Sequence, residues 1–162
     1  MPLRSDWSAA TCPIARSLDV IGDPWMLLIL RQSLLGVRRY EDFRSALQVA
    51  DNVLSKRLPA MVDAGLLDKV QYRGERRTHH EYVITEAGAD LLPVLNALLI
   101  WGEKHTSAPQ PGAHMGIVHR TCGAESTSAD RCSNCGEPLT AAEVSWSRSW
   151  RSPDPQPLTH AP

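Results

Sequence analysis

The sequence predicts a mainly α-helical protein with one small β-hairpin and a short cysteine-bearing segment towards its C-terminal end. Between residues 12 and 64, apolar side chains recur at the spacing of successive helical turns. After residue 65 the pattern changes to that of a hairpin with a charged tip, and three of the four cysteines follow residue 120. A chain of 162 residues suffices for one well-cored domain and an appendage, whereas two full domains would be cramped.

The first two predicted helices are separated by local stop and start signals. Residues 12–21 carry apolar positions at helical spacing. Gly22 then stops the helix, Asp23 can cap the next one and Pro24 suits its first position. Residues 24–35 are apolar nearly all round, which is typical of a buried central helix.

A hairpin lies between the later helices. Residues 40–47 and 52–64 are each predicted to form a helix with one apolar face, and Gly65 is a natural stop for the second. Residues 67–84 are expected to form the hairpin. Thr85 can cap a last helix that runs to about residue 104 and has more apolar surface than one small core needs.

The last three of the four helices before the hairpin, then the hairpin and a final helix, in this order, describe a winged helix-turn-helix. In that fold the helix before the hairpin lies in the major groove of DNA, and the hairpin, or wing, reaches the adjacent backbone or minor groove. Outward polar residues near the start of helix 52–64 are candidates for contacts with base edges or phosphates, namely Asn52, Ser55, Lys56 and Arg57. The hairpin adds cationic candidates for phosphate contacts, namely Arg73, Arg76 and Arg77, with His79 and His80 beside them.

The net charge of −1 argues against binding to nucleic acid, but the distribution of charge along the chain favours it. Residues 31–80 hold ten Lys and Arg against six Asp and Glu, while residues 81–162 hold five against nine. A solvated charge run is the competing interpretation. No phosphate loop, dinucleotide fingerprint or nucleophile elbow is present, so we do not expect an enzyme. Because the sequence has no long apolar stretch and no signal-peptide pattern, we expect a cytoplasmic protein without a membrane partner.

Several short segments, in order and spacing, resemble the HxlR-type regulators of the MarR-like superfamily. They are CPIA at 12–15, GDPW at 22–25, LLILR at 27–31, RYEDF at 39–43, LSKRL at 54–58, AGLL at 64–67, YVITEAG at 82–88 and WG at 101–102. The resemblance covers about residues 10–105. It implies homodimers in which the first and last helices pack together, operator DNA with dyad symmetry, and a role as repressor or activator. Arg39, which opens the fourth segment, joins the DNA-binding candidates.

The sequence departs from the family at two positions. Ala50 stands where the family often has a capping hydroxyl, and Pro59 lies inside the predicted reading helix, where it removes a backbone hydrogen bond. A kink near residues 55–59 is therefore expected, and the individual base contacts stay open.

Cys12 matches a cysteine that senses oxidants or electrophiles in several members of the family. A thiol at a helix start, with Arg16 one turn away, favours the reactive thiolate. The alternative is a buried small apolar residue. A small molecule is a second possible effector, because Trp25 and Trp101 could line a pocket, although dimer packing explains the same residues.

The other three cysteines and a histidine have the spacing of a zinc ribbon. His119 and Cys122 are followed by a glycine, and Cys132 and Cys135 repeat this two-residue gap and glycine. We expect these four residues to hold a structural Zn(II), with His114 as the backup ligand. The alternative is that the thiols stay metal-free or form a redox disulfide.

The expected organisation is a DNA-binding and dimerisation domain at 1–106, a linker at 107–113, a zinc-ribbon-like segment at 114–150 and a disordered tail at 151–162, which is rich in proline. The expected function is a dimeric, sequence-specific transcriptional regulator that a thiol oxidant or small effector shifts between two states. The alternative is a protein-interaction module in which the zinc-bearing segment docks a partner.

Overall fold

A computed structural model describes residues 6–74 and 78–162 and confirms the predicted fold class, a winged helix-turn-helix with a small C-terminal β-subdomain. Its helices are α1 (Pro13–Ile21), α2 (Pro24–Leu34), α3 (Tyr40–Leu47), α4 (Asp51–Asp63), α5 (Glu86–Ala89) and α6 (Leu92–His105). Its strands are β1 (Leu67–Arg73), β2 (Thr78–Ile84), β3 (Met115–His119), β4 (Glu125–Ser126), β5 (Val144–Arg148) and β6 (Ser152–Pro157). Within the described residues, no helix combines the length and the apolar content needed to cross a bilayer.

The predicted helix starts are confirmed. The Asp23 carboxylate accepts a hydrogen bond from the backbone N–H of Trp25 at 2.9 Å, and Pro24 occupies the first turn of α2. The Thr85 hydroxyl accepts from the N–H of Gly88 at 3.1 Å and so caps α5. Ala50 precedes α4 without a side-chain cap.

The helix α4 continues through Pro59 from Asp51 to Asp63. Its inner residues Leu54, Leu58 and Met61 are completely buried, and this packing holds the helix where the proline withholds one hydrogen bond.

The last predicted helix is in fact two, because α5 ends at Ala89 and α6 begins at Leu92. Pro93, in the first turn of α6, has no N–H for the carbonyl of Ala89, so the helical ladder is interrupted there.

The expectation of a disordered tail at 151–162 is wrong. Residues 152–157 form the edge strand β6 of an antiparallel sheet with the order β4-β3-β5-β6, which we call the C-terminal sheet. Prolines occupy every second position of β6, and an edge strand tolerates them because alternate N–H groups point away from its neighbour. The sheet therefore extends beyond the predicted boundary at residue 150.

The C-terminal sheet packs against the winged helix at two places. At the end of α2, the carbonyls of Leu34 and Leu35 accept from the Thr159 N–H at 2.7 Å and the Gln156 side-chain amide at 2.9 Å. On α6, Asn96 is completely buried. Its Oδ1 accepts from the Trp146 indole at 3.0 Å and its Nδ2 donates to the Ala129 carbonyl at 2.9 Å.

Candidate DNA-binding surface and metal cluster

The outer side of α4 presents three of its four predicted DNA-contacting residues to solvent. Asn52, Ser55 and Lys56 are exposed, while the inner side of the helix is anchored in the core. The Tyr40 hydroxyl donates to the Asp51 carboxylate at 2.7 Å and fastens α3 to the first turn of α4. The start of α4 is thus a polar edge on a fixed support.

Arg57 does not share this edge. Its Nε donates to Oδ2 of Asp23 at 3.0 Å, and its Nη2 forms an ion pair with the same oxygen. Both side chains are less than one-third exposed. The structure therefore places Arg57 against the start of α2, away from the outward position that the sequence predicts.

Arg39 lies between α3 and the hairpin. Its guanidinium carbon is 5.2 Å from the ring centroid of Tyr72, and its Nε is 3.6 Å from the Glu81 carboxylate. Tyr72 stacks on His79 with centroids 5.5 Å apart. Sequence reasoning missed Tyr72 and Glu81 as residues that orient Arg39, because both lie more than thirty positions away along the chain.

A groove of about 540 Å³ runs between α3 and the hairpin, and Lys69 and His80 contribute to its walls beside Arg39. Arg73 is the last residue of β1, whereas Arg76 and Arg77 lie outside the described residues. Lys69 and His80 thus lie on the side of the hairpin that faces α3.

Cys12 is exposed at the N-cap of α1, which argues against a buried core residue. The Arg16 guanidinium donates to the carbonyls of Ala10 and Thr11, each at 2.7 Å. The thiol is accessible to a reagent in solution.

Two helices expose a row of large apolar side chains. Ile14 and Leu18 lie one turn apart on α1, and Ile14 is 70% exposed. On α6, Val94, Leu98 and Trp101 share one face, and Trp101 is 59% exposed. A soluble monomer rarely leaves such residues uncovered in a continuous patch, so these two helices are candidates for an interface.

The four predicted metal ligands meet in one cluster. The ligand atoms of His119, Cys122, Cys132 and Cys135 all lie within 4.8 Å of one another. His119 Nδ1 is 3.4 Å from the sulfur of Cys122 and 3.2 Å from that of Cys135, and the sulfurs of Cys122 and Cys132 are 3.6 Å apart. The three cysteines of the cluster are free thiols in the structure.

The cluster is built from two similar tight turns. The N–H of Gly123 donates to the His119 carbonyl at 2.8 Å, and the N–H of Gly136 donates to the Cys132 carbonyl at 2.9 Å. Both glycines have positive φ angles, 72° and 78°, which other residues rarely adopt. Each turn brings its two ligands to the same side.

The thiols of the cluster differ in acidity. The pKa of Cys122 is lowered to about 6, chiefly by the backbone N–H of Ala124 and then by His119 and the neighbouring groups. The Glu137 backbone N–H lowers the pKa of Cys135, but desolvation and the two neighbouring thiols outweigh it and raise the pKa overall. Metal ions bind the thiolate form of cysteine, and the lowered pKa of Cys122 favours that form at neutral pH.

His114 does not lie in the cluster, so the structure gives it another role than that of backup ligand. Its Nε2 is 2.7 Å from the Glu125 carboxylate and its Nδ1 is 3.1 Å from that of Glu103. Glu125 first, and Glu103 after it, raise the pKa of His114. Glu103 belongs to α6, and His114 thus joins this helix to the C-terminal sheet.

Comparison with known proteins agrees with this architecture. A family model described as HxlR-like helix-turn-helix matches residues 20–110. The chain is 36% identical over 144 residues to Rv3095 of Mycobacterium tuberculosis (strain ATCC 25618 / H37Rv), an uncharacterised HTH-type transcriptional regulator. The aligned residues cover 89% of this chain and 85% of Rv3095. It is 30% identical over 95 residues to the HTH-type transcriptional regulator YdeP of Bacillus subtilis (strain 168), with 58% and 73% of the two chains covered.

Solved structures show the same fold. The crystal structure of PA1607, described as a candidate transcription factor, has a TM-score of 0.67 and 36% identity over 85% of this chain and 94% of its own. PA1374 from Pseudomonas aeruginosa, described likewise, has a TM-score of 0.52 and 40% identity over 79% and 87%. The redox regulator HypR in its reduced form has a TM-score of 0.52 and 26% identity over 57% and 92%. The matched family, the order of helices and hairpin and these relatives agree: the chain belongs to the HxlR-like helix-turn-helix family of transcriptional regulators.

Proposed function

We propose that this protein is a sequence-specific transcriptional regulator that binds operator DNA in the cytoplasm as a homodimer. The observation that carries the proposal is the polar edge of α4, where Asn52, Ser55 and Lys56 are exposed while Leu54 and Leu58 fix the helix in the core. Amide, hydroxyl and ammonium groups at the start of a helix suit contacts with base edges and nearby phosphates.

Arg39 and the hairpin arginines would supply the contacts with the DNA backbone. The Tyr72 ring and the Glu81 carboxylate hold Arg39 in one orientation, which reduces the entropy lost when it meets a phosphate. Arg73, Arg76 and Arg77 follow at the hairpin, where arginines can contact the backbone or a narrow minor groove.

The exposed apolar faces of α1 and α6 support the homodimer. A two-fold axis beside them would bury Ile14 and Leu18 of one chain together with Leu98 and Trp101 of either chain. Two α4 helices related by such an axis would recognise an operator with dyad symmetry, with half-sites about one helical turn apart.

The cysteine and histidine cluster fits a structural Zn(II). Tetrahedral zinc with the usual bond lengths places two thiolate sulfurs about 3.8 Å apart, and a sulfur about 3.5 Å from an imidazole nitrogen. Three of the six ligand pairs lie close to these values, at 3.6 Å between two sulfurs and at 3.2 and 3.4 Å between nitrogen and sulfur, and all six lie within 4.8 Å. Four protein ligands close the coordination shell, so the ion would join the two tight turns and leave no position for a substrate.

Cys12 is the group that we propose as a thiol sensor. Its exposure at the start of α1, on the helix with the apolar face, places any adduct beside the proposed dimer interface. HypR, a relative with the same winged-helix fold, is named a redox regulator, which supports the same signal here. Oxidation or alkylation of Cys12 would then alter how the two reading helices are spaced.

The test is binding of the purified protein to a randomised duplex library at two salt concentrations, followed by sequencing of the retained duplexes. An enriched motif with dyad symmetry is expected for the wild type. Lys56→Gln should change the preferred bases, whereas the exposed Lys104→Gln on α6 serves as a matched charge control and should not. The double change Arg76→Ala with Arg77→Ala should weaken binding to all sequences and flatten the salt slope by up to about 2.

Repeating the selection with diamide tests the sensor, because Cys12→Ser should remove the response to oxidant. No enrichment at either salt concentration would contradict DNA recognition and favour the protein-interaction module. Retention that diamide changes equally in the wild type and Cys12→Ser would contradict the sensor alone.

A further inference from the structure

Three arginines lie on the elements that join where the C-terminal sheet folds against the end of α2, and the proposed DNA-binding surface uses none of them. Arg31 lies in the last turn of α2, Arg148 ends β5, and Arg151 lies in the turn between β5 and β6. The N–H of Arg151 donates to the carbonyl of Arg148 at 2.8 Å, so the latter two share one tight turn.

Hydrogen bonds tie this turn to α2. The Arg148 guanidinium donates from Nη2 to Oε1 of Gln156, and Nε2 of Gln156 donates to the carbonyl of Leu35 at 2.9 Å. The N–H of Leu35 in turn donates to the carbonyl of Arg31 at 3.1 Å. Three consecutive bonds therefore connect the two elements that carry the arginines.

The arginines repel one another without a compensating carboxylate. Desolvation and then the charges of Arg148 and Arg151 lower the pKa of Arg31, and desolvation and Arg151 lower that of Arg148. None of the ion pairs in residues 6–74 and 78–162 includes any of the three. The negative end of the α2 dipole favours the charged form of Arg31, which lies in the last turn of that helix.

We infer that Arg31, Arg148 and Arg151 form a binding site for a small, doubly charged oxyanion, of the class of phosphate or a phosphate monoester. Guanidinium groups hold such anions through paired, charge-assisted hydrogen bonds. Arg31 and Arg148 are half-buried and Arg151 is exposed, so the site opens to solvent on one side. Because the Arg31 and Arg148 side chains are only partly accessible, a small ion can reach them more readily than the backbone of a duplex can.

The bound anion would connect the two parts of the fold. It would neutralise the repulsion between α2 and the β5–β6 turn, and it would be held by residues from both. Binding is therefore expected to stabilise the whole chain against unfolding.

The test compares the melting temperature of the full chain in sodium phosphate and in sodium chloride at equal pH and ionic strength. Phosphate at ten times its Kd should raise the melting temperature of the wild type by about 3 °C. Arg151→Gln and Arg31→Gln should each remove more than half of this shift. Lys104→Gln, which deletes an exposed charge elsewhere, should keep it. If Arg31→Gln fails to fold, the exposed Arg151 decides the result.

An unchanged phosphate shift in Arg151→Gln, or no shift in the wild type, overturns the site. A second measurement, binding of DNA duplexes in chloride alone, distinguishes the absence of an anion site from contact of these arginines with DNA. If the wild type shows no phosphate shift and Arg151→Gln flattens the salt slope of DNA binding by about 1, the arginines contact the DNA backbone instead. Sulfate should reproduce the phosphate shift in the wild type, and failure to do so would also contradict a site selective for doubly charged oxyanions.

Discussion

Arg57 of α4 and Asp23 at the start of α2 form an ion pair in which one carboxylate serves two helices. The Arg57 Nε donates to Oδ2 of Asp23 at 3.0 Å, and Oδ1 of Asp23 accepts from the backbone N–H of Trp25 at 2.9 Å. The orientation of α4 is therefore fixed relative to the helix that forms the centre of the core.

Asp23→Ala should lower the free energy of unfolding by about 2–3 kcal/mol, because it removes a helix cap and leaves a half-buried guanidinium without its partner. Urea denaturation measures the change. Asp42→Ala, an exposed carboxylate in the first turn of α3, is the control and should cost less than 1 kcal/mol. Equal losses in the two variants would contradict the double role of Asp23.

Arg57→Gln should lower stability by about 1–2 kcal/mol and leave the preferred DNA bases unchanged, since the side chain faces Asp23 rather than solvent. Lys56→Gln, by contrast, should change the preferred DNA bases and cause little loss of stability. Selection from the randomised library and urea denaturation of both variants provide the comparison. A changed motif with Arg57→Gln would show that this arginine leaves its partner on binding DNA.

Asn96→Ala should cost about 2–4 kcal/mol, because the Trp146 indole and the Ala129 carbonyl both lose their buried partner. Trp146→Phe alone and the double variant complete a double-mutant cycle. A coupling energy of at least about 1 kcal/mol is expected between Asn96 and Trp146. Additive losses would mean that the hydrogen bond does not join the C-terminal sheet to α6.

His114 should stabilise the fold below neutral pH. Because Glu125 and Glu103 raise its pKa in the folded state, its contribution is fully present below the unfolded pKa of about 6.5 and is lost as pH rises through the folded value. All three side chains are at least one-third exposed, so the effect stays below about 1 kcal/mol. The melting temperature of the wild type should exceed that of His114→Gln most at about pH 5, where the imidazole is protonated and the two carboxylates are still ionised. A difference that grew above neutrality would contradict this assignment.

Metal analysis of the purified protein should find one zinc per chain. Chelation should lower the melting temperature, because the two turns of the cluster lose their common link. Cys135→Ser should lose the metal, whereas Cys12→Ser, which removes the one cysteine outside the cluster, should retain it. Retention of a full zinc equivalent by Cys135→Ser would contradict the ligand set.

Local signals along the chain predict much of the fold and the metal cluster. Asp23, Pro24 and Thr85 act on backbone groups only a few residues away, so their capping roles follow from the sequence itself. The metal ligands come in pairs separated by two residues, and a glycine after each pair permits the tight turn.

Contacts between distant residues do not leave such signals. Lys56 and Arg57 are adjacent cations in the sequence, and only the position of Asp23, 34 residues before Arg57, distinguishes their surroundings. Asn96 is one polar residue in an apolar helix, and the indole that it binds lies 50 residues later.

The proline-rich tail shows why composition alone misleads. Pro153, Pro155 and Pro157 alternate with residues that keep their N–H groups, and this period of two fits an edge strand. A count of prolines predicts disorder, whereas their spacing permits β6 to pair along β5.

The hydrogen bonds at the end of α2 also bear on how the chain folds during synthesis. Gln156, which donates to the Leu35 carbonyl, lies 121 positions after Leu35. Thr159, whose N–H donates to the Leu34 carbonyl, lies still later in the chain. The helices and hairpin up to residue 105 will have left the ribosome well before these donors do. Until these donors are available, water must hydrate the carbonyl groups at the end of α2 in the nascent winged helix. A ribosome stalled before residue 156 would therefore carry a domain in which the end of α2 lacks its native hydrogen-bond donors.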